Sequence, residues 1–161
     1  MNGYVGAQKP VRWASAVKAG ALVGSIFVLV ARGIPWASSG LISPTMMGFE
    51  LKHPGAVDAG ATFITIVLHM ATAILYAVLM APVINRFRYW YAVPLGGVIG
   101  FLLYLLNSFL LSEIFTNAAR YSRELPAAIT HVAFGLAAAA AYKGFARSRN
   151  ETAQRGSAPV S

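Results

Sequence analysis

The chain has 161 residues, of which 57% are hydrophobic and 11% charged. A soluble domain carries roughly 25% charge, so too little polar side chain is present to cover a water-facing surface. The net charge is +8 and cysteine is absent, which excludes disulfides, thiolate metal sites, iron–sulfur ligation and cysteine nucleophiles.

The first predicted element is a helix over residues 13–34. Within it only 13 residues separate Lys18 from Arg32, whose long side chains reach opposite membrane interfaces. A cleaved signal peptide competes for this segment, with a basic start and small residues at Ala37 to Ser39. The long leading region and Arg32 directly after the apolar run favour an uncleaved helix. The loop that follows is punctuated by Pro35, Pro44 and Pro54. Ser43-Pro44 predicts a short interfacial helix through Lys52, with Ser43 as cap and Pro44 at the first helical position.

Three further helices follow from gaps in the charge pattern. No Asp, Glu, Lys or Arg stands between Asp58 and Arg86, between Arg88 and Glu113, or between Glu124 and Lys143. A helix crosses the bilayer core with about 20 apolar residues. The gaps therefore predict helices over 59–84, 90–112 and 125–143. The polar stretch 150–161 is expected to be a disordered tail. Residues 1–149 then form one transmembrane domain.

Charge asymmetry orients the chain. Lys9, Arg12, Lys18, Arg86, Arg88, Lys143, Arg147, Arg149 and Arg155 fall on one side, against Glu151 alone. On the other side Arg32, Lys52, Arg120 and Arg123 balance Glu50, Asp58, Glu113 and Glu124. The positive-inside rule places both termini in the cytoplasm. Trp13 and Trp90 fall at cytoplasmic interfaces and Trp36 at the outer one, as an aromatic belt requires. The positive charge thus reads as topology. Nucleic-acid binding would need a basic face on a folded soluble domain, and no such domain fits.

In lipid, small and polar residues mark the packed faces of helices. Helix one carries Ala16, Gly20 and Gly24; helix two carries Thr62, Thr65, His69, Thr72 and Tyr76. Helix three carries Gly97, Gly100, Tyr104 and Asn107; helix four carries His131, Gly135, Ala138 and Tyr142. Spacings of three and four keep each set on one face. The expected fold is all-α, an antiparallel four-helix membrane bundle with these stripes inward. Gly20/Gly24 and Gly96/Gly100 match GxxxG, which predicts close helix packing, either within the chain or in a homodimer.

Depth gathers the polar groups. Counted from the outer ends, His131 and Asn107 lie roughly 8 to 9 Å down, Tyr104 about 12 Å and His69 about 15 Å. The candidate polar pocket is therefore His69, Thr65, Thr72, Tyr104, Asn107 and His131. Its plainest role is to fix helix register through mutual hydrogen bonds. A substrate or ion pathway is the functional alternative. Haem held between His69 and His131, or a metal held by these with His53 and a loop carboxylate, are further readings. No cofactor or metal is assigned. Both histidines are expected to face inward, with Asn107 or Tyr104 beside them, because an imidazole facing lipid leaves polar atoms unpaired.

The motifs GxSxG, HExxH, GxxxxGK[ST] and GxGxxG after a strand are absent. The stretches LHMATAILY, GGVIGFLLYLLN and THVAFG resemble those of small bacterial inner-membrane proteins with four helices, over roughly residues 13–145. The resemblance implies a fold and a location without an activity. Small multidrug exporters differ, since they carry a membrane-buried glutamate in helix one and this helix has none. The expected function is non-enzymatic: an accessory or scaffold subunit of a membrane complex, in contact with lipid and with either a partner or another copy. A small transporter or channel is the alternative, with an outward pocket around His69 and His131. The cytoplasmic halves of helices three and four offer mainly glycine and alanine, which favours a dead-end pocket over a through-path.

Overall fold

The computed structural model describes residues 10–33, 59–111 and 125–156. It is all-helical, with α1 over Trp13–Gly33, α2 over Ala59–Asn85, α3 over Tyr89–Leu105 and α4 over Leu125–Gly156. α3 runs on as a π-helical turn, Leu106–Leu111. The interfacial helix expected over 43–52, Trp36, His53 and the charged outer loops lie outside the described residues. So do the side chains of Thr62 and Thr65.

The ends of the elements follow from the chain. α1 starts where the Arg12 carbonyl accepts from the N–H groups of Ser15 and Ala16. α2 tightens at its end, where Arg86 and Phe87 donate to carbonyls three residues back, Val83 and Ile84. Arg88 is then extended, and its carbonyl accepts from Tyr91 and Ala92 to start α3. α4 does not stop at 143. It continues to Gly156, so the tail expected from 150 is helical as far as that residue. Loss of apolarity ends a membrane span, but Lys143, Ala146 and Arg147 are good helix formers and sustain the helix beyond it.

Three of the four helices are long and apolar enough to cross a membrane: Trp13–Val30, Ile66–Asn85 and Tyr89–Phe109. The distribution of side-chain size agrees. The core is mostly small: Ala16, Ala19, Ala73, Ala81, Ala92, Ala138 and Ala139 are buried, filled out by Val23, Met80, Ile84, Phe134 and Tyr142. The large apolar side chains point out, with Leu29 70%, Phe63 68% and Leu79 60% exposed. Water would penalise this inverted arrangement by roughly 25 cal/mol per Å² of exposed apolar surface. Hydrocarbon does not.

α4 is the hub, packing along α3 and α1, while α1 also packs along α2. The Phe27 and Phe134 rings meet edge to face at 6.0 Å, joining α1 to α4. Glycine allows the closest approaches. A β-carbon added at Gly20 would lie 2.6 Å from the Ile74 Cα and 2.8 Å from the Ala73 carbonyl oxygen. At Gly24 it would lie 2.8 Å from the Ala73 Cβ and 3.2 Å from the Met70 Sδ. On α3, a β-carbon at Gly96 would strike the Gly135 carbonyl, and one at Gly100 the His131 carbonyl. Gly135 faces the Gly96 carbonyl in return. Gly97 meets only the Leu136 side chain, at 2.9 Å, and the Val132 side chain. Both GxxxG pairs are thus occupied within the chain, and neither is free to join two copies.

Candidate functional site

One polar relay crosses the bundle. The Tyr76 hydroxyl of α2 donates to the Asn107 Oδ1 at 2.6 Å. The Asn107 Nδ2 lies 2.9 Å from the His131 Nε2 of α4. The His131 Nδ1 lies 2.8 Å from the Ala127 carbonyl, one turn back on its own helix. The donor directions are fixed by chemistry. An amide nitrogen only donates, so Nε2 accepts and Nδ1 carries the proton to Ala127. Every bond has one donor and one acceptor, and the relay is neutral throughout.

The middle of this relay, Asn107, lies in the π-helical turn. Asn107 already falls on the inward stripe of α3 by its spacing, and its neighbour Ser108 is wholly buried. Tyr104 stands one turn earlier, its ring 5.9 Å from that of His131 and tilted by 62°. Phe101 backs Tyr104 at the same centroid distance of 5.9 Å.

His69 differs. It is half-buried on α2, beside the Gly24 backbone and within electrostatic reach of His131. Its Nε2 is buried and has no hydrogen-bond partner. Thr72, one turn further along, is also half-buried. Of the residues expected in the pocket, the structure therefore joins Tyr104, Asn107 and His131 and sets His69 nearby. Thr65 lies outside the described side chains. Tyr76 belongs with this group although it stands outside the pocket that the sequence suggests, and its signal is that it continues the polar stripe of α2.

The opposite end of the bundle has its own polar knot. The Tyr142 hydroxyl donates to the Asn85 Oδ1 at 3.0 Å and accepts from the Arg12 N–H at 3.3 Å. The Lys143 ammonium donates to the Asn85 and Phe87 carbonyls at 3.3 and 2.6 Å. A cation thus caps the carbonyl end of α2, where the helix dipole favours it.

The arrangement limits the chemistry available. With both ring nitrogens engaged, His131 presents no free lone pair to a haem iron or another metal unless Asn107 lets go. Among the described residues, no three histidine, cysteine or acidic side chains come together around a point. The void between α2 and α4 is lined by Ala77, Met80, Ala81, Ile84, Ala138, Ala139 and Tyr142. It has no room for a water molecule. Comparison with protein-family models, with curated proteins and with solved structures finds no match for this chain.

Proposed function

We propose that the chain is a non-enzymatic, multi-pass protein of the bacterial inner membrane that acts as an accessory or scaffold subunit. Its four helices form an antiparallel bundle with both termini in the cytoplasm. The order of contacts supports this. Gly20 meets Ala73 and Ala77 while Gly24 meets Ala73 and Met70, so α2 descends as α1 rises. Gly96 and Gly100 meet Gly135 and the His131 carbonyl in the same reversed order. α4 is the fourth span, since its neighbours on both sides are apolar helices.

The observation that carries the functional reading is the closed relay Tyr76–Asn107–His131. Its members satisfy one another and leave no charged group, which suits a device that fixes register between α2, α3 and α4. Because both GxxxG pairs are used inside the chain, a partner or a second copy must dock on the outer apolar faces. Purification in mild detergent tests the role: a defined oligomer or a stoichiometric partner is expected, and a solitary monomer overturns it. Single cysteines at positions 87 and 155 test the orientation, since both should resist labelling by an impermeant reagent in intact cells. Labelling of position 87 from outside overturns it.

A small transporter is the second reading, and the unpaired His69 Nε2 favours it. On that reading His69→Leu abolishes uptake or efflux while the bundle stays intact.

A further inference from the structure

The turn between α2 and α3 gathers a different set of residues. Arg86 and Arg88 are exposed on either side of Phe87, which is 44% exposed. No acidic side chain sits in the first turn of α3 to neutralise them. Directly after them stand three exposed aromatic residues, Tyr89, Trp90 and Tyr91. Trp90 is 80% exposed, and its ring meets that of Tyr89 edge to face at 5.5 Å.

The turn is also held in place. Lys143 binds the carbonyls of Asn85 and Phe87, and Tyr142 binds the Asn85 side chain. Two exposed cations are therefore presented by a backbone anchored to α4. Exposed Trp and Tyr sit at the headgroup level of a bilayer. A guanidinium at that level faces phosphate, which it grips with two parallel N–H bonds.

We infer that the Arg86–Tyr91 turn is a binding site for the headgroup of an anionic phospholipid, with Arg86 and Arg88 holding the phosphate and Trp90 lying along the glycerol and upper acyl region. The inference rests on the membrane reading above. Charge complementarity selects the occupant: two exposed arginines two positions apart favour an anion, and the aromatic rings beside them suit the edge of the hydrocarbon rather than water. A free phosphate would use the arginines and leave the rings bare.

The test uses the full chain with Trp13→Phe and Trp36→Phe, so that Trp90 alone fluoresces. The protein is reconstituted in phosphatidylcholine vesicles containing brominated phosphatidylglycerol or, separately, brominated phosphatidylcholine. Quenching of Trp90 reports which lipid lies beside it. Phosphatidylglycerol is expected to be preferred. One cation near an anionic surface contributes about fivefold, so Arg86→Gln with Arg88→Gln should lower that preference by roughly fivefold to thirtyfold. Equal quenching by the two lipids overturns the site. So does an equal loss from the charge-matched control, Lys18→Gln with Arg147→Gln, which would indicate a diffuse field. Relief of quenching by inorganic phosphate at constant ionic strength overturns the lipid assignment. A chain that fails to float with the vesicles overturns the membrane reading as well. One that floats but shows no anionic preference overturns this inference alone.

Discussion

The α3–α4 seam and the α1–α2 seam both rest on glycine, and they close in different ways. Across α3–α4 both partners supply it: Gly96 and Gly100 lie on carbonyls of α4, and Gly135 lies on a carbonyl of α3. At these three glycines backbone meets backbone, and the opposing carbonyl cannot move aside. Across α1–α2 the glycines come from α1 alone: Gly20 lies on the α2 backbone at Ile74 and Ala73, and Gly24 lies on the Ala73 side chain and the flexible Met70. The polar contacts divide the same way. The α3–α4 seam is tied by Asn107 and His131. The α1–α2 seam has the long Ser25 Oγ to Met70 Sδ contact at 3.9 Å and the His69 ring against the Gly24 backbone, with the His69 Nε2 unpaired. The comparison teaches that a GxxxG motif states only that something comes close. Whether the seam is rigid depends on what the other helix supplies.

The largest effect is expected where both sides are backbone. Gly100→Ala and Gly135→Ala should each cost about 3 kcal/mol, the upper end of overpacking, because the added methyl meets a carbonyl. The gain in helix propensity, about 1 kcal/mol, is too small to offset this. Thermal unfolding in detergent measures it, and Gly97→Ala is the internal comparison, since the Leu136 side chain can yield. If Gly97→Ala and Gly100→Ala melt together, the account of the seam fails.

On α1 the same substitution should grade along the helix. Gly20→Ala meets the backbone of α2 and should cost about 2 kcal/mol. Gly24→Ala meets the Ala73 Cβ and the Met70 thioether, and should cost about 1 kcal/mol as Met70 shifts. An equal loss at the two positions would mean that Met70 is not free to move.

Much of this architecture is legible in the sequence, and the reasons are physical. Helix bounds are set where charge begins, so Asp58, Arg86 and Arg88 mark α2 and α3 to within a residue or two. The stripes Gly97–Gly100–Tyr104–Asn107 and His131–Gly135–Ala138–Tyr142 identify the faces that meet. The partner of the α1 ridge is not legible, because Ala73 and Ala77 look like ordinary helix formers until a glycine lies on them. The π-helical turn is not legible either. A straight helix is locally preferred at Leu106–Leu111, and nothing in that stretch of sequence marks the widening. The extension of α4 past Lys143 is hidden for the opposite reason, since helix propensity persists after the apolar signal has ended.

The relay separates the seams more finely. Asn107→Ala leaves the Tyr76 hydroxyl and the His131 Nε2 without partners. Hydrogen bonds inside membrane bundles average about 0.6 kcal/mol and reach about 1.7, so a loss of about 1 to 1.5 kcal/mol is expected. Since the two bonds share Asn107, the double variant Asn107→Ala with His131→Leu should cost less than the sum of the single ones. Strict additivity in denaturant or thermal unfolding would show that the relay does not act as a unit.

The smallest effect should come from the other histidine. His69→Leu removes an imidazole of similar bulk whose Nε2 has no partner, so the variant gives up no well-formed hydrogen bond at that atom. It also removes a buried polar atom that hydrocarbon penalises by about 1 to 3 kcal/mol when unpaired. Against this stands the ring's contact with the Gly24 backbone, which leucine cannot reproduce as a polar interaction. The two terms nearly cancel, and the melting temperature should move little, in contrast to the loss expected for Asn107→Ala. A substantial loss of stability on His69→Leu, comparable with that of Asn107→Ala, would mean that Nε2 is paired in the membrane after all. The occupant would then be a water or a ligand, and the α1–α2 seam would be as firmly tied as its counterpart.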